Sequence, residues 1–410
     1  MIIEFSVQNF GSIKDKQVLS FEADRSKHLE DYYIIPVKGL RLLKIGLIYG
    51  ANASGKTTLL NAIDFLGKMV LNPLNTKTDT LEFEPFLFDT STPDQNTILS
   101  IEFIQNSIRY YYEVEFNKKA IINERLDFYN PNKANVYKRT TNLEKQLSEI
   151  TFGSKIKTDK VFEKTLEANT LWNNTVLGGF QKTNIELNEL KDARDWFGTH
   201  LSPLMKPITR LDYYIINQLK NSTIKKEDII HILQKADLNI SDISIKEKKT
   251  EDYTQNKKNS SFLKFEHTLN DKKYPLDYDS ESQGTQRFCG LAGILSQSIR
   301  ESFVFLIDEL ESSLHPDLFT HFLLSFLINS KNSQIIATTH NREILNNKDI
   351  FRNDAIWITD KSDDCATLLY SLADFDTSVI RDTSNIYNAF KIGKLGGVPN
   401  LGDYFIDIEQ

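Results

Sequence analysis

The chain has 410 residues, 40% of them hydrophobic and 26% charged, which is enough for one large domain or two ordinary ones. Its formal net charge of −7 gives no general affinity for a polyanion, so DNA is a possible partner only through a local basic patch. Two distant cysteines, outside any CxxC pair, exclude a disulfide framework and a cysteine-based zinc site, and fit a reducing cytosol.

From its first residues, we expect the N-terminus to carry no targeting signal. MIIEFSVQNF has a glutamate at position 4 and no basic region, so it is not typical of a signal peptide. No stretch approaches the roughly 18 apolar residues that a membrane helix needs. We therefore expect a soluble, cytoplasmic protein with no membrane partner.

Residues 1–130 have the pattern of a mixed α/β lobe. Apolar and polar residues alternate over 1–22, which predicts two strands around a turn. LLKIGLIYG, 42–50, predicts a buried strand, and TTLLNAIDFLGKMV after it has apolar residues at helical spacing. Repeated alternation over 97–129 predicts an antiparallel meander.

Residues 131–235 are predicted to form a helical insertion. Four amphipathic segments separated by polar breaks carry this prediction: NLEKQLSEI, KVFEKTLEAN, ELNELKDARDWFGTHL and KKEDIIHILQKADL. They are too short, and too poorly patterned in heptads, for a long coiled coil.

Residues 236–410 are predicted to form a second lobe of the same fold. Strand-like segments return over 240–278, where the charged run KEKKTEDYTQNKK, 246–258, favours a solvated hairpin or loop. Two apolar strands follow, 302–309 and 334–340, each flanked by helical pattern. Buried strands between helices predict a parallel sheet covered by helices.

The stretch GANASGKTT, residues 50–58, satisfies GxxxxGK[ST] between a predicted strand and a predicted helix. Its glycines would let backbone N–H groups curl around a phosphate, and the helix start adds its positive end. Lys56 would reach the β- and γ-phosphates, and Thr57 would ligate Mg²⁺. The alternative, a glycine turn that opens a helix, is disfavoured by the flanking elements. The predicted nucleotide-binding residues here are Gly50, Asn52, Ala53, Ser54, Gly55, Lys56, Thr57 and Thr58.

A second motif is FVFLIDELESSLHP, in which four apolar residues lead into Asp308 and Glu309. Both carboxylates would lie at the carboxyl end of a central strand, where open α/β sheets bind ligands. Asp308 would hold Mg²⁺, and Glu309 would orient the attacking water, because phosphoryl transfer depends on positioning and charge neutralisation. The alternative is an ordinary strand that ends in acidic residues.

A third motif is QIIATTH, another apolar strand, which ends at His340. A histidine at that position can bond the γ-phosphate and respond to its loss. A lone histidine at a strand end is usually structural, so only the other motifs favour a catalytic role for His340.

The fourth motif is ESQGTQRF, 281–288, where Ser282, Gly284 and Thr285 precede a predicted helix. A hydroxyl and backbone N–H groups at a helix start form a second anion site. Since the chain already has one phosphate cradle, this one would serve the nucleotide of a neighbouring subunit. The alternative is a simple helix cap, for which serine and glycine are common.

Taken in order, these motifs resemble those of the ABC-type ATPases of the SMC, Rad50 and RecF kind. GANASGKTT matches Walker A, ESQGT the signature, LIDELESSLHP Walker B with its D-loop, and TTH the switch histidine. The opening FSVQNFGSIKD resembles that group's first hairpin, with Gly11 where those proteins often carry arginine. The resemblance implies a P-loop ABC-type ATPase head of the α/β class, with a mixed sheet, an antiparallel β subdomain and a helical insertion.

The same resemblance implies ATP and Mg²⁺ as cofactors and a head-to-head homodimer, or a higher even-numbered homo-oligomer, with two sandwiched ATP molecules. Two sets of residues would face each other across each ATP: Lys56, Thr57, Asp308, Glu309 and His340 from one subunit, and Ser282 and Gly284 from the other. Hydrolysis would be slow and regulatory, because ATP binding would join the subunits and hydrolysis would release them.

A narrower resemblance is to the ATPases of bacterial abortive-infection and anti-phage systems of the AbiLi, RloA and PARIS AriA type. It is carried by FEPFLFD, YYYEVEF, IINERL, KADLNISDI and YNAFKIGKLGGVPNLGDY. It implies a sensor and scaffold that holds a separately encoded effector, such as a TOPRIM-type nuclease, until a phage trigger releases it. The acidic runs DKSDD and ADFD after His340 are predicted to be loops without flanking strands, so we expect this tail to finish the ATPase lobe rather than form a fused nuclease.

Two other functions are compatible with a P-loop. The first is a DNA-repair or chromosome-structure ATPase of the RecF or Rad50 kind. It is opposed by the net negative charge of the chain, the short insertion and the absence of a CxxC hook. A transporter subunit is opposed by the divergent signature, the helical insertion and the lack of an obvious Q-loop glutamine near EPFLFD, 84–89. DNA-stimulated hydrolysis would favour the first, and co-purification with a membrane protein the second.

Overall fold

The computed structural model describes residues 1–250, 258–375 and 385–399. The strands are β1 (Ile2–Gln8), β2 (Gln17–Ser20), β3 (Ile34–Val37), β4 (Leu40–Leu43), β5 (Ile45–Gly50), β6 (Thr97–Gln105), β7 (Ile108–Phe116), β8 (Ile121–Tyr129), β9 (Lys133–Asn142), β10 (Leu147–Phe152), β11 (Asp242–Thr250), β12 (Lys258–Leu269), β13 (Lys272–Asp277), β14 (Val304–Ile307), β15 (Gln334–Thr338), β16 (Ile356–Lys361) and β17 (Thr367–Ser371). The helices are α1 (Glu30–Tyr33), α2 (Lys56–Leu71), α3 (Lys160–Asn169), α4 (Val176–Phe180), α5 (Asn188–Thr199), α6 (Leu211–Lys220), α7 (Lys226–Lys235), α8 (Gln283–Arg300), α9 (Pro316–Asn329) and α10 (Ile386–Lys391).

A seven-stranded antiparallel sheet contains the N-terminal hairpin and the predicted meander, in the order β10-β9-β8-β7-β6-β1-β2. Alternate residues of β7 are buried, and this period of two is the one that the sequence pattern predicts. The prediction of two N-terminal strands and an antiparallel meander is confirmed.

A second sheet of five strands has the order β14-β15-β5-β16-β17. Its first four strands are parallel, and β17 returns antiparallel to β16. Every residue of β14, β15 and β5 is buried, as expected for strands at the centre of an α/β layer. The predicted parallel sheet and the mixed α/β class are therefore confirmed, and the carboxyl ends of β5 and β14 lie along the same edge.

The strand predicted over 42–50 is interrupted. Leu42 and Leu43 belong to β4, which pairs with β3, and the central strand begins at Ile45. The break occurs at Lys44, whose buried ammonium group donates hydrogen bonds to the carbonyls of Leu327 and Ser330, at 2.8 and 2.6 Å, where α9 ends. A cation at the C-terminus of a helix satisfies carbonyls that have no partner within the helix.

The prediction of a helix over NLEKQLSEI, 142–150, is wrong. This segment forms the turn and second strand of the β9–β10 hairpin, so the antiparallel sheet continues past residue 130 as far as Phe152. Leu143 and Leu147, which give the segment its helical spacing, are 52% and 58% exposed. Because these two leucines face solvent, their spacing does not mark a buried helix face.

The other three predicted helical segments are confirmed as α3, α5 and α7. Trp196 of α5 stacks on Phe103 of the antiparallel sheet, with ring centroids 4.3 Å apart. α5 and α3 therefore pack on the first sheet, whereas α7 packs on α8 and β11. The division of the chain into residues 1–130, 131–235 and 236–410 stays a prediction.

The C-terminal part completes the five-stranded sheet through β16 and β17. The prediction that DKSDD has no flanking strands is wrong, because β16 and β17 lie on either side of it. β16 pairs with β5, so residues 356–361 extend the five-stranded sheet. That the tail finishes the ATPase lobe rather than forming a fused nuclease stays a prediction. The expected solvated hairpin or loop over 246–258 is tested only in part, since residues 251–257 lie outside the described ranges. Among the described helices, none is long and apolar enough to cross a bilayer.

Candidate nucleotide-binding site

The predicted phosphate loop connects β5 to α2, as expected from its sequence. Gly55 directly precedes the helix with φ of 99°, a left-handed conformation that favours glycine. A Cβ atom on Gly55 would lie 2.0 Å from the side-chain oxygen of Thr367, so a larger residue would not fit. Gly50 is packed as tightly, since its Cβ would lie 2.3 Å from the Thr359 hydroxyl. The loop conformation therefore requires glycine at both positions.

Lys56 is the first residue of α2 and is buried beneath the loop. Its ammonium group donates hydrogen bonds to the carbonyls of Gly50 and Ala51, at 2.9 and 2.8 Å. Burial lowers the pKa of Lys56, an effect that the nearby carboxylates of Asp308 and Glu309 partly oppose. The side chain thus spans the space that the loop encloses, where a phosphate would lie.

Thr57 and Asp308 meet although 251 residues separate them in sequence. The Thr57 hydroxyl lies 3.0 and 3.1 Å from the two carboxylate oxygens of Asp308. A hydroxyl and a carboxylate are oxygen ligands of the type that Mg²⁺ prefers, so the pair fits this ion. The described residues contain no group of three His, Cys, Asp or Glu that could hold a metal. Two protein ligands are enough for a magnesium ion that is shared with nucleotide phosphates.

Thr338, at the end of β15, fixes both acidic residues. Its hydroxyl donates to Asp308 at 2.6 Å and accepts the backbone N–H of Glu309 at 2.8 Å. Glu309 has φ of 46°, which is uncommon for a non-glycine residue, and its side chain is exposed. The strand end therefore buries one carboxylate beside Thr57 and directs the next one outward.

His340 follows β15 by two residues and lies beside the same acidic segment. Its backbone N–H donates to the carboxylate of Glu311 at 2.5 Å. Burial, and then the Lys56 ammonium group, lower the pKa of His340, which favours the neutral imidazole. A neutral imidazole retains one N–H donor for a phosphate oxygen.

Ser282 is the N-cap of α8 and accepts the backbone N–H of Thr285 at 3.1 Å. The helix-cap alternative therefore describes its contacts within one chain. A Cβ on Gly284 would lie 2.9 Å from the carbonyl of Ser313, which places the start of α8 against the segment after Glu309. Among the described residues, no hydrogen bond joins Ser282, Gly284 or Thr285 to residues 50–58 of the same chain.

Sequence reasoning missed several residues that contact the motifs. Arg287 of α8 is 6% exposed and donates to the backbone carbonyl of Glu309 at 3.2 Å. It links the start of α8 to the turn that carries the acidic residue. Glu311 and Thr338 stand inside or beside recognised motifs, so their position was a usable signal. Arg287 also lies inside a recognised motif, ESQGTQRF, but nothing in the sequence indicates its partner, a backbone carbonyl 22 residues away.

The sequence matches one family model over residues 47–346, described as "AAA domain, putative AbiEii toxin, Type IV TA system". This range contains all of the predicted site residues and most of the chain. A comparison with curated proteins found no match. The predicted P-loop ATPase class is confirmed, whereas the narrower assignment to AbiLi, RloA or AriA stays a prediction.

Solved structures with a similar fold include three SMC head domains. The SMC head domain from Thermotoga maritima is 13% identical, with a TM-score of 0.42 over 90% of this chain and 98% of that one. An Smc head with an extended coiled coil, bound to the C-terminal domain of ScpA and derived from Pyrococcus furiosus, is 13% identical, with a TM-score of 0.43 over 96% and 98%. An SmcHead bound to the C-winged helix domain of ScpA is 15% identical, with a TM-score of 0.42 over 90% and 97%. These values are too low to support a functional argument, so the family assignment depends on the family model.

Proposed function

The chain belongs to this AAA-domain family, and on that premise we propose that it is an ABC-type ATPase in which ATP gates the holding of a separate effector protein. The observation that best supports this proposal is the contact between Thr57 and Asp308, which joins the phosphate loop to the end of β14. A nucleoside triphosphate with Mg²⁺ fits this pair, because its phosphates can lie in the loop while the ion takes an oxygen ligand from each segment.

Each residue of the proposed site has a role that its position supports. Lys56 neutralises the β- and γ-phosphates, and Thr57 and Asp308 would hold Mg²⁺, which supplies further charge neutralisation when bound. Glu309 orients the attacking water from its exposed position at the strand end. His340 donates to the γ-phosphate and loses that contact after hydrolysis. Phosphoryl transfer requires positioning and electrostatic stabilisation, which these residues provide.

We propose further that a second copy of the chain completes the binding site of each nucleotide. Ser282 is exposed at the N-terminus of α8, where a hydroxyl and free N–H groups favour an anion. No contact within the described chain ties this group to residues 50–58. A head-to-head homodimer, or a higher even-numbered homo-oligomer, would bring it to the ATP of the partner.

The substitution Ser282→Arg tests whether two subunits share each nucleotide-binding site. Ser282→Arg should leave ATP binding by isolated subunits within about twofold of wild type, because the phosphate loop is untouched. It should lower kcat by about 10²-fold or more, because it removes a transition-state donor and places a bulky cation at the contact. ATP affinity and turnover, each measured over a range of protein concentrations, separate the two effects.

Ser154→Arg is the matched control, since it adds the same charge at an exposed serine after β10, outside the proposed contact. Its turnover should match wild type. Normal hydrolysis by the Ser282→Arg protein would contradict a site shared between subunits.

The proposed role in defence is supported by the family description, which refers to toxin systems, and by the quoted sequence resemblance. In this proposal the ATP-bound oligomer holds a separately encoded effector, such as a TOPRIM-type nuclease, and a phage trigger releases it. The runner-up is a DNA-repair ATPase of the RecF or Rad50 kind. The net charge of −7 gives this alternative no support, so DNA binding would depend on a local basic patch.

Native mass spectrometry of the ATP-bound protein, co-expressed with its neighbouring genes, distinguishes these roles. An even-numbered oligomer that carries a second, non-membrane polypeptide is the expected result. A bare dimer that instead binds added DNA, with an affinity that falls steeply as salt rises, would favour the DNA-repair role.

A further inference from the structure

The C-terminal segment 385–398 returns to the candidate nucleotide-binding site and packs on it. Helix α10 lies against residues 343–346, the short helical turn that follows His340. The side-chain amide of Asn385, which caps α10, donates to the side-chain carbonyl of Asn346 at 3.1 Å. This segment lies outside the range that the family model matches, and none of the roles proposed above uses it.

Phe390 of α10 contacts two parts of the site with one ring. Its side chain is 2% exposed. The guanidinium group of Arg342, two residues beyond His340, lies over the ring at 5.3 Å from its centroid. Tyr49, the residue directly before Gly50, meets the same ring edge-on, with centroids 5.9 Å apart and 71° between the planes. The ring therefore lies between the segment that carries His340 and the strand that carries the phosphate loop.

The turn after α10 encloses Phe390 and reaches the phosphate loop itself. Gly397 has φ of 65°, a left-handed conformation that favours glycine. A Cβ atom on Gly397 would lie 2.7 Å from the side chain of Ile358, and 3.4 Å from both the Phe390 ring and the Cα of Gly50. The tail thus packs on the first glycine of the loop as well as on the residue before it.

His340 depends on its neighbours for its position, because its own side chain is exposed. Its backbone N–H is held by the carboxylate of Glu311 on one side. On the other side, the guanidinium group of Arg342 has no hydrogen bond or ion pair within the described part of the chain, so its restraint comes from the ring of Phe390. A catalytic group must be held closely, because a misplacement of about 1 Å can lower the rate by about 10²-fold.

We propose that Phe390 is a positioning residue that fixes the place of His340 relative to the phosphate loop. It does so by contacting Arg342 on one side and Tyr49 on the other, and it does not itself touch the nucleotide. This inference rests on the proposed ATPase function. It extends that function to a segment that the sequence connects only to the narrower resemblance.

Phe390→Leu tests the proposal, because leucine is apolar and similar in size but offers no aromatic ring to Arg342 or Tyr49. We expect kcat for ATP hydrolysis to fall about tenfold or more, since His340 loses its fixed position. The Kd of Mg·ATP should stay within about twofold of wild type, because the lysine and backbone of the phosphate loop are unchanged. Steady-state turnover and titration calorimetry measure the two quantities.

A double-mutant cycle with His340→Ala separates positioning from a general loss of structure. If Phe390 acts through His340, adding Phe390→Leu to the His340→Ala protein should change kcat by less than about twofold. A disturbance of the whole fold would instead lower kcat by the same factor in both backgrounds.

Phe128→Leu is the matched control. Phe128 is another buried phenylalanine, 7% exposed, in β8 of the antiparallel sheet. Its replacement removes the same buried ring, so it should lower the melting temperature of the nucleotide-free protein. It should leave kcat and the Kd of Mg·ATP unchanged.

A folded Phe390→Leu protein with wild-type kcat would overturn the proposal, as would an equal loss of kcat in the His340→Ala background. If Phe390→Leu does not fold, Arg342→Met gives the same test, because it removes the contact with the ring from a half-buried side chain. Wild-type turnover in that variant would overturn the proposal equally. Failure of the proposed function gives a different result, since the wild-type protein itself would then hydrolyse no ATP.

Discussion

The Lys56→Ala protein should not bind ATP at concentrations that saturate the wild type. Lys56 is the cation enclosed by the phosphate loop, held there by the carbonyls of Gly50 and Ala51. Hydrogen bonds to charged groups contribute about 1.5–3 kcal/mol each, so losing contacts to two phosphates should cost about 3–6 kcal/mol. This corresponds to a weakening of roughly 10²- to 10⁴-fold, which equilibrium binding of Mg·ATP measures directly.

Lys68→Ala is the control for this change because it removes the same side chain from the same helix, α2. Lys68 is exposed and pairs with Asp64 four residues earlier, at 2.6 Å. Such surface pairs contribute about 0–1 kcal/mol, so stability and ATP affinity should both stay close to wild type. Unchanged affinity in the folded Lys56→Ala protein would contradict the assignment of residues 50–58 as the nucleotide site.

The candidate site residues whose place in the fold could be predicted are those in motifs that are contiguous in sequence, and their roles stay predictions. The phosphate loop needs a strand, glycines, a lysine and a helix start, and all of these lie within a few residues of one another. The same applies to Asp308, which directly follows β14, and to His340, which lies two residues beyond β15. It was predictable that the phosphate loop, Asp308 and His340 would lie near one another, because parallel strands place their carboxyl ends at one edge of a sheet.

The residues that were missed depend on contacts between distant segments. Thr367 and Ser12 are ordinary hydroxyl residues, and nothing in their local sequence indicates that they meet beside the phosphate loop. The prediction of a helix over 142–150 was wrong for a related reason. Leu143 and Leu147 have helical spacing, but the chain pairs this segment with β9 and leaves both leucines in solvent. Tertiary pairing here overrides the local pattern.

Glutamine at position 309 should preserve ATP binding, nearly stop hydrolysis and accumulate the ATP-bound oligomer. The side chain of Glu309 is exposed at the strand end, beside the buried pair of Asp308 and Thr57. Glutamine has nearly the same shape but cannot accept a proton from water, and the loss of such a base lowers kcat by about 10²- to 10⁴-fold. Light scattering with Mg·ATP should show an even-numbered oligomer that persists, whereas the wild type returns to smaller species as ATP is consumed.

Two further variants serve as controls for the Glu309→Gln experiment. Glu301→Gln makes the same chemical change at an exposed residue just beyond the other end of α8, and it should hydrolyse ATP normally. Adding Ser282→Arg to the Glu309→Gln protein should abolish the persistent oligomer while ATP still binds, because only the contact from the second copy is removed. Wild-type turnover in the Glu309→Gln protein would show that Glu309 does not orient the water. A persistent oligomer in the double variant would instead place the subunit contact away from the start of α8.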